Sequence, residues 1–213
     1  MINKILEAKH WQLFFLLVGV PVGLFLTIGV IIYSMLKDGT PPDPKKIFEV
    51  FSIIKFFPLI IVLFTSLLFS WFWSVANGLQ SVVPTTVEMK TTKFRTFSII
   101  PLLYVSGFCV FIFVSISKIK PQALLQDLPQ IPMEWLTPIL LILHILSIFG
   151  IFYTMYFTAK TLKTVELQRE VKFSDFVSEF FMFWFFPVGL WILQPRINEI
   201  SEKENANRYE DEN

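Results

Sequence analysis

Four long apolar stretches separated by polar connections form the dominant pattern of this chain. None of them contains Asp, Glu, Lys or Arg, and each has at least 20 residues. They cover residues 13–36, 56–76, 97–116 and 136–159. A helix needs about 20 apolar residues to cross a hydrocarbon core of about 30 Å. The pattern therefore predicts an all-α integral membrane protein with four transmembrane helices.

A fifth apolar segment, residues 176–193, is shorter than the others. Its longest run without charged or amide side chains is the 14 residues between Glu179 and Gln194, which would form about 21 Å of helix. Seven of those 14 are Phe or Trp, and Trp prefers the membrane interface. Pro187 and Gly189 interrupt the segment. We predict a short re-entrant or interfacial helix, with a fifth transmembrane helix as the alternative.

The distribution of basic residues favours the non-crossing segment. If the segment crosses, the 18 lysines and arginines divide nine to nine between the two sides. If it does not cross, twelve lie on the side of the N-terminus and six on the other. Because Lys and Arg collect on the cytoplasmic side of a membrane, this arrangement predicts a cytoplasmic N-terminus.

The chain between the fourth apolar stretch and the fifth should be largely helical. Residues 160–170 contain no proline or glycine and are rich in good helix formers. Ser174 is expected to cap the next helix, with Asp175 in its first turn.

The spans and their connections predict that residues 1–200 form a single helical membrane domain. The polar, acidic residues 201–213 are predicted to be disordered.

A short motif occurs twice in the chain. The pattern T-V-E-[ML]-x(3,4)-K-F-x-x-F covers residues 86–97 and 164–176. We interpret it as a duplicated helical hairpin, and a chance match of two polar stretches is the alternative. Duplication predicts that both connectors lie on one side of the membrane. It also predicts that the segment 176–193 crosses fully, in conflict with the length and charge arguments.

Composition agrees with a membrane protein and narrows its chemistry. Charged residues make up 16% of the chain, against about 25% in an ordinary globular domain. The net charge of +1 offers no basic field for nucleic acid. The single cysteine, Cys109, excludes an intrachain disulfide and a multi-cysteine metal site. Because zincin, nucleophile-elbow and P-loop motifs are absent from the sequence, we assign no catalytic residue, cofactor or metal, and predict that the chain is not an enzyme.

Two ionisable residues are candidates for a function. His144 lies in the middle of the fourth apolar stretch, where we expect a buried, neutral imidazole bonded to Ser147 or a backbone carbonyl rather than a proton relay or ligand. Glu179 is expected to pair with Lys172 or Lys163, or to bind a cation or a basic partner. The preferred interpretation of Glu179 is an acid near a helix start that complements the helix dipole.

The first apolar stretch carries a small-xxx-small pattern at Gly19 and Gly23. This spacing lets another helix approach closely. Packing inside the monomer is the favoured explanation, and a dimer face is the alternative.

Three sequence segments suggest a family. AKHWQLF (residues 8–14), AKTLKTVELQREVKFSDFVSEFF and FWFFPVGLWILQPRIN, the last two between residues 159 and 198, resemble a family of small uncharacterised bacterial multi-span membrane proteins. The resemblance implies a bacterial inner-membrane location and transfers no functional residues.

Three functions remain open at this point. The leading hypothesis is a non-catalytic scaffold, accessory or sensor component, whose basic connectors contact anionic lipid or a membrane protein partner. A small-solute transporter or channel, with a polar path through Tyr104, Ser106 and His144, is the second. An intramembrane lipid enzyme ranks last.

Overall fold

The computed structural model describes residues 2–37, 44–118 and 136–211, and this part of the chain is helical without strands. Besides its α-helices the chain has a wide π-helical turn, Phe15–Gly19, and a 3-10 turn, Leu79–Val82. The α-helices are α1 (Ile2–Leu6), α2 (His10–Phe14), α3 (Val20–Leu36), α4 (Pro44–Ile54), α5 (Phe57–Gly78), α6 (Thr91–Ser117), α7 (Leu136–Leu167), α8 (Phe173–Trp184) and α9 (Phe186–Asp211).

The predicted all-α membrane fold is confirmed. Four helical stretches are long and apolar enough to cross a membrane, and they coincide with the four predicted spans. They are His10–Met35, Phe48–Val82, Thr91–Ser117 and Thr137–Leu167. Residues 38–43, in the connection after the first span, and residues 119–135, in the connection after the third, lie outside the described residues.

The predicted continuation of the fourth span into its charged connector is also confirmed, because α7 ends only at Leu167. Gln168 stops the helix in the left-handed region, with φ 49°. Its side-chain amide donates to the Val165 carbonyl at 2.7 Å and so satisfies one of the free carbonyls of the last turn.

The fifth apolar segment does not form a fifth span. Phe185 separates α8 from α9, and α9 folds back along α8. Nη2 of Arg196 consequently lies 2.7 Å from Oε1 of Glu179. Seventeen residues of straight helix would place the two positions about 25 Å apart. The segment is therefore a short helical hairpin. The non-crossing segment that the length and charge arguments predicted is confirmed, and the full crossing expected from the repeat is wrong.

Gly189 permits the sharp turn of this hairpin. A Cβ atom at this position would overlap the backbone carbonyl of Met182. The backbone N–H groups of Val188 and Gly189 both donate to the Phe185 carbonyl, at 3.0 and 2.9 Å. Pro187 lies in the first turn of α9, where a backbone N–H has no helical partner to lose.

The start of α8 differs in detail from the prediction. The N-cap is Lys172, two residues before Ser174. Asp175 determines this start, because its carboxylate accepts the Lys172 backbone N–H at 2.9 Å while its own N–H donates to the Lys172 carbonyl at 2.9 Å. The predicted acid in the first turn is confirmed.

The C-terminal tail also differs from the prediction of disorder, since α9 continues to Asp211. Tertiary contacts support the helix where composition does not. Ser81 Oγ donates to Glu204 Oε1 at 2.7 Å, and Asn205 Nδ2 donates to Glu7 Oε1 at 3.2 Å. These bonds tie the tail to the end of α5 and to the N-terminal segment.

The hydrophobic core lies at one end of the helices, which we call the packed end. There α1, α2, α5, α7, α8 and α9 bury their apolar faces against one another. The largest buried side chains of this core are Trp71, Phe72, Phe176, Phe183, Leu17, Leu79, Leu162, Leu190, Leu193 and Ile197. Away from the packed end, α3 and the first half of α7 expose large apolar side chains, as helices that face lipid do.

The helices α6 and α7 approach closely at Gly150. Pro101 lacks a backbone N–H, so the Phe97 carbonyl one turn earlier has no helical donor. A Cβ at Gly150 would lie 2.7 Å from that carbonyl oxygen and 2.9 Å from Cδ of Pro101. Only glycine fits this contact without a shift of one helix.

The two copies of the repeated motif share a location but not a conformation. Both connectors lie at the packed end, where Gln168 Nε2 donates to the Val82 carbonyl at 3.3 Å. Residues 164–167 form the last turn of α7, whereas residues 86–90 are non-helical. The helices that follow have 27 residues in α6 and 12 in α8. Duplication therefore stays a prediction.

Candidate functional site

Glu179 is buried at the packed end, and three side chains bind its carboxylate. The exposed fraction of its side chain is 3%. Oε1 accepts hydrogen bonds from Arg196 Nη2 at 2.7 Å and from Lys163 Nζ at 3.0 Å. Oε2 accepts one from Ser178 Oγ at 2.9 Å. Both carboxylate oxygens are thus occupied.

A second acid, Glu166, completes the arrangement. Arg196 binds it with two parallel bonds, Nε to Oε1 at 2.7 Å and Nη2 to Oε2 at 2.6 Å. Lys163 Nζ lies 3.5 Å from Glu166 Oε2. We call Lys163, Glu166, Glu179 and Arg196 the ion-pair cluster. Its charges sum to zero, and it fastens the end of α7 to both arms of the C-terminal hairpin.

The electrostatics of the cluster keep Glu179 ionised. Burial raises the pKa of this carboxyl, but hydrogen bonds from Arg196, Lys163 and Ser178 outweigh burial and lower the pKa from 4.5 to about 2. Burial likewise lowers the pKa of Arg196, and its hydrogen bonds to the two carboxylates raise it above the ordinary value. Glu179 is therefore a permanent anion at neutral pH.

The sequence analysis predicted part of this cluster. The expected partner Lys163 is confirmed, whereas no ion pair joins Lys172 to Glu179 in the described part of the chain. The helix-dipole interpretation of Glu179 is wrong, because this residue is the seventh of α8 and is buried. Asp175 occupies the dipole position instead, where the Lys172 backbone N–H lowers the pKa of its carboxyl.

Arg196 and Glu166 were missed in the sequence. They lie 17 residues after Glu179 and 13 residues before it, on separate helices. In the sequence Arg196 was marked only by a charge close to an apolar segment, and Glu166 also by its place in the repeated T-V-E motif. These signals do not single them out without the hairpin.

Gln194 forms a second buried polar contact that the sequence did not indicate. Its Oε1 accepts the Trp71 indole N–H at 2.9 Å. Its Nε2 donates to the carbonyls of Ile5 and Ala8 at 3.0 Å each and of Leu6 at 3.2 Å. These carbonyls lie at and just after the end of α1, where no further helical turn supplies donors, and Asn198 Nδ2 also donates to those of Leu6 and Ala8, at 2.6 and 3.2 Å. Gln194 therefore fixes the N-terminal segment against α5 and α9.

His144 does not have the predicted environment. It is exposed on α7, and its ring lies edge-on to Tyr104 with the centroids 5.7 Å apart. Ser147 Oγ is buried without a hydrogen-bond partner in the described residues, so the expected His144–Ser147 bond is not formed. Nineteen residues of helix separate His144 from Lys163, about 28 Å. The two candidates, His144 and Glu179, are therefore not parts of one site.

The surroundings of His144 are apolar. The nearby groove between α6 and α7 has a volume of about 290 Å³ and includes Tyr104 and Leu143 among its mostly aliphatic and aromatic walls. Within residues 2–37, 44–118 and 136–211, no group of three His, Cys, Asp or Glu side chains is placed to hold a metal ion.

Comparison of this chain with protein-family models, with curated proteins and with solved structures finds no match.

Proposed function

We propose that this chain is a non-catalytic scaffold or accessory protein of the bacterial inner membrane, with its N-terminus in the cytoplasm. In this proposal the packed end is a rigid cytoplasmic-side anchor, and α3 offers a face to a helix of another membrane protein. The observation that carries the proposal is the open side of α3 at Gly23.

The small-xxx-small pattern is open at Gly23 on α3, whereas Gly19 lies in the π-helical turn, where a Cβ would be 3.0 Å from the Phe15 ring. A Cβ at Gly23 would have no atom within 4 Å among the described residues. Thr27, one turn later, is also exposed, and its hydroxyl donates to the Gly23 carbonyl at 2.8 Å. The favoured explanation of the sequence pattern, packing inside the monomer, therefore does not hold at Gly23. This openness supports the alternative explanation, close approach by a helix from outside this chain.

The ion-pair cluster supports a structural role for the packed end. Each oxygen of Glu179 already accepts hydrogen bonds, and Arg196 uses its guanidinium on two acids. Three of the roughly four acceptor positions of the Glu179 carboxylate are therefore used by side chains of this chain. The effect of the cluster is to hold three helices in one arrangement.

The location within the cell rests on charge. The N-terminal segment, both connectors and the C-terminal helix lie at the packed end, as the contacts of Gln168, Glu204 and Asn205 require. This is the distribution with twelve lysines and arginines on one side. The positive-inside rule supports a cytoplasmic packed end. Anionic lipid is a second proposed contact of this basic surface.

A small-solute transporter or channel is the alternative proposal and has less support. It requires a polar path that includes His144, Ser106 and Tyr104. In the described part of the chain His144 faces outward beside an apolar groove instead of lining an interior passage.

The test is the variant Gly23→Leu, with Gly107→Leu as its matched control. A Cβ at Gly107 on α6 also meets open space, so neither change should alter the stability of the isolated protein. Membranes are treated with a short cross-linker, and assemblies are then separated by native electrophoresis. We expect a discrete higher-mass assembly that Gly23→Leu abolishes and Gly107→Leu preserves.

Two outcomes would contradict the proposal. One is a chain that migrates alone in native membranes at all expression levels. The other is an assembly that survives Gly23→Leu unchanged. The orientation is tested separately by fusing, after residue 213, a reporter that is active only in the cytoplasm. We expect this fusion to be active.

A further inference from the structure

A second groove at the packed end is lined by charges and aromatic rings. Its volume is about 520 Å³, and it lies between the connector that precedes α6 and the end of α7. The residues that matter are two bases, two acids and two tyrosines. They are Lys90, Lys160, Glu88, Glu170, Tyr153 and Tyr156.

The four charged side chains of this groove are not paired with one another. No ion pair includes any of them in the described residues. In the neighbouring ion-pair cluster, by contrast, every charge is within 3.0 Å of an opposite one. Lys160 is partly buried, and Lys90 and both acids are exposed. The groove thus presents two positive and two negative groups that remain available to a ligand.

The groove continues into a membrane-facing surface through aromatic side chains. Tyr156 and Tyr153 on α7 have ring centroids 6.3 Å apart, and the centroids of Tyr153 and Phe149 are 6.4 Å apart. Phe149 is 54% exposed and belongs to the apolar part of the fourth span. Tyrosine at the end of a span is typical of the headgroup level. A ligand in the groove can therefore have its polar part among the charges and a chain along Phe149.

We propose that this groove binds the headgroup of a zwitterionic phospholipid with a primary ammonium, of the phosphatidylethanolamine class. Lys90 and Lys160 bind the phosphate, and Glu88 and Glu170 accept hydrogen bonds from the ammonium. The two tyrosine rings border the headgroup and favour a cation near their faces. This site does not depend on the scaffold role proposed above.

Charge balance distinguishes this ligand from the other lipid classes. The sequence predicted anionic lipid as a contact of the basic connectors, but a headgroup with a net negative charge would meet two uncompensated carboxylates here. A quaternary ammonium cannot donate a hydrogen bond to a carboxylate, so a choline headgroup would lack the hydrogen bonds to Glu88 and Glu170. A phosphate and a primary ammonium together satisfy all four groups.

The experiment measures lipid binding to the full-length protein by native mass spectrometry. Protein released from detergent is titrated with phosphatidylethanolamine, phosphatidylcholine or phosphatidylglycerol of the same acyl composition, and with soluble glycerophosphoethanolamine. We expect phosphatidylethanolamine to bind about fivefold more tightly than either other lipid, a difference of about 1 kcal/mol. The soluble compound should bind far more weakly, because it has no acyl chain to lie along Phe149.

Variants assign the binding to the groove. Lys90→Ala and Lys160→Ala should each weaken phosphatidylethanolamine binding about threefold or more, as loss of a charge-assisted bond implies. The matched control is Lys93→Ala, an exposed lysine outside the groove that should leave binding unchanged. Glu170→Gln should reduce the preference for phosphatidylethanolamine and increase binding of phosphatidylglycerol. If Lys160→Ala does not fold, the variants Lys90→Ala and Glu170→Gln still test the proposal, because both of these side chains are exposed.

Three results would overturn the proposal. Phosphatidylglycerol binding as tightly as phosphatidylethanolamine would indicate simple attraction to negative charge. An effect of Lys93→Ala equal to that of Lys90→Ala would place the binding outside the groove. Equal affinity for soluble glycerophosphoethanolamine would identify a water-soluble phosphate ligand instead of a lipid.

Discussion

The ion-pair cluster predicts a large and pH-dependent effect of the variant Glu179→Gln. Glutamine keeps the shape of the side chain and removes its charge. Folding lowers the pKa of the Glu179 carboxyl from 4.5 to about 2. Because one pKa unit corresponds to about 1.4 kcal/mol, this shift contributes about 3 kcal/mol to the free energy of unfolding at pH values above 4.5. Breaking one partner of a buried pair costs a similar amount, about 3–5 kcal/mol. We therefore expect Glu179→Gln to lose about 3 kcal/mol of unfolding free energy at pH 7.

The pH dependence follows from the direction of the pKa change. Because the folded-state pKa is below the unfolded-state pKa, this contribution is complete above about pH 4.5 and is lost as the pH falls toward about 2. The wild-type protein should lose this part of its stability over that range, whereas Glu179→Gln has no such group to titrate. The two unfolding curves, followed by tryptophan fluorescence in micelles during titration with a denaturing detergent, should converge at low pH.

Glu199→Gln is the matched control for this experiment. Glu199 also pairs with a lysine, Lys203, at 2.7 Å, but its side chain is 67% exposed, so its removal should change stability little. If Glu179→Gln unfolds like the wild type at pH 7, the buried charge does not stabilise the protein. If the variant's loss of unfolding free energy is as large near pH 2 as at pH 7, the loss does not come from the ionised carboxylate.

Four further predictions rest on single features of the structure. Gly189→Ala should cost more than about 3 kcal/mol in the same unfolding assay, because its Cβ would overlap the backbone of α8; wild-type stability would contradict the tight hairpin. Gln194→Ala should cost about 1–3 kcal/mol, since it leaves the buried indole N–H of Trp71 without an acceptor, and a change below about 0.5 kcal/mol would argue against this contact. His144→Phe should leave the unfolding midpoint unchanged, because His144 is exposed and makes no hydrogen bond within the described residues; a lower midpoint would show a structural role. A cysteine at Asn207, in a Cys109→Ser background, should react with an impermeant thiol reagent in inside-out vesicles and not in intact spheroplasts, and the reverse pattern would contradict a cytoplasmic packed end.

The features that could be predicted from the sequence depend on sums along a continuous stretch of chain. Crossing a bilayer requires length and apolarity, and both are properties of neighbouring residues, so the four spans were correctly located. The same local reasoning showed that residues 176–193 are too short to cross. The first-turn acid Asp175 and the continuation of α7 into its connector were predicted for the same reason.

The features that were missed depend on residues that are distant in sequence. Glu179 and its partner Lys163 were proposed, but Arg196 reaches Glu179 only because the chain reverses between Met182 and Gly189. The tail after residue 200 is too polar to predict as ordered, yet it is helical where Ser81 and Glu7 hydrogen-bond to it.

His144 and Gly23 show the same limit for exposed positions. The sequence places both within apolar helices but does not specify which side of each helix meets the rest of the protein. The side of each helix that faces the protein is determined by packing at the packed end, where the hairpin, α1 and the connectors meet. Hydropathy along the chain thus determines which segments enter the membrane, and tertiary contacts alone determine which faces, charges and grooves those segments present.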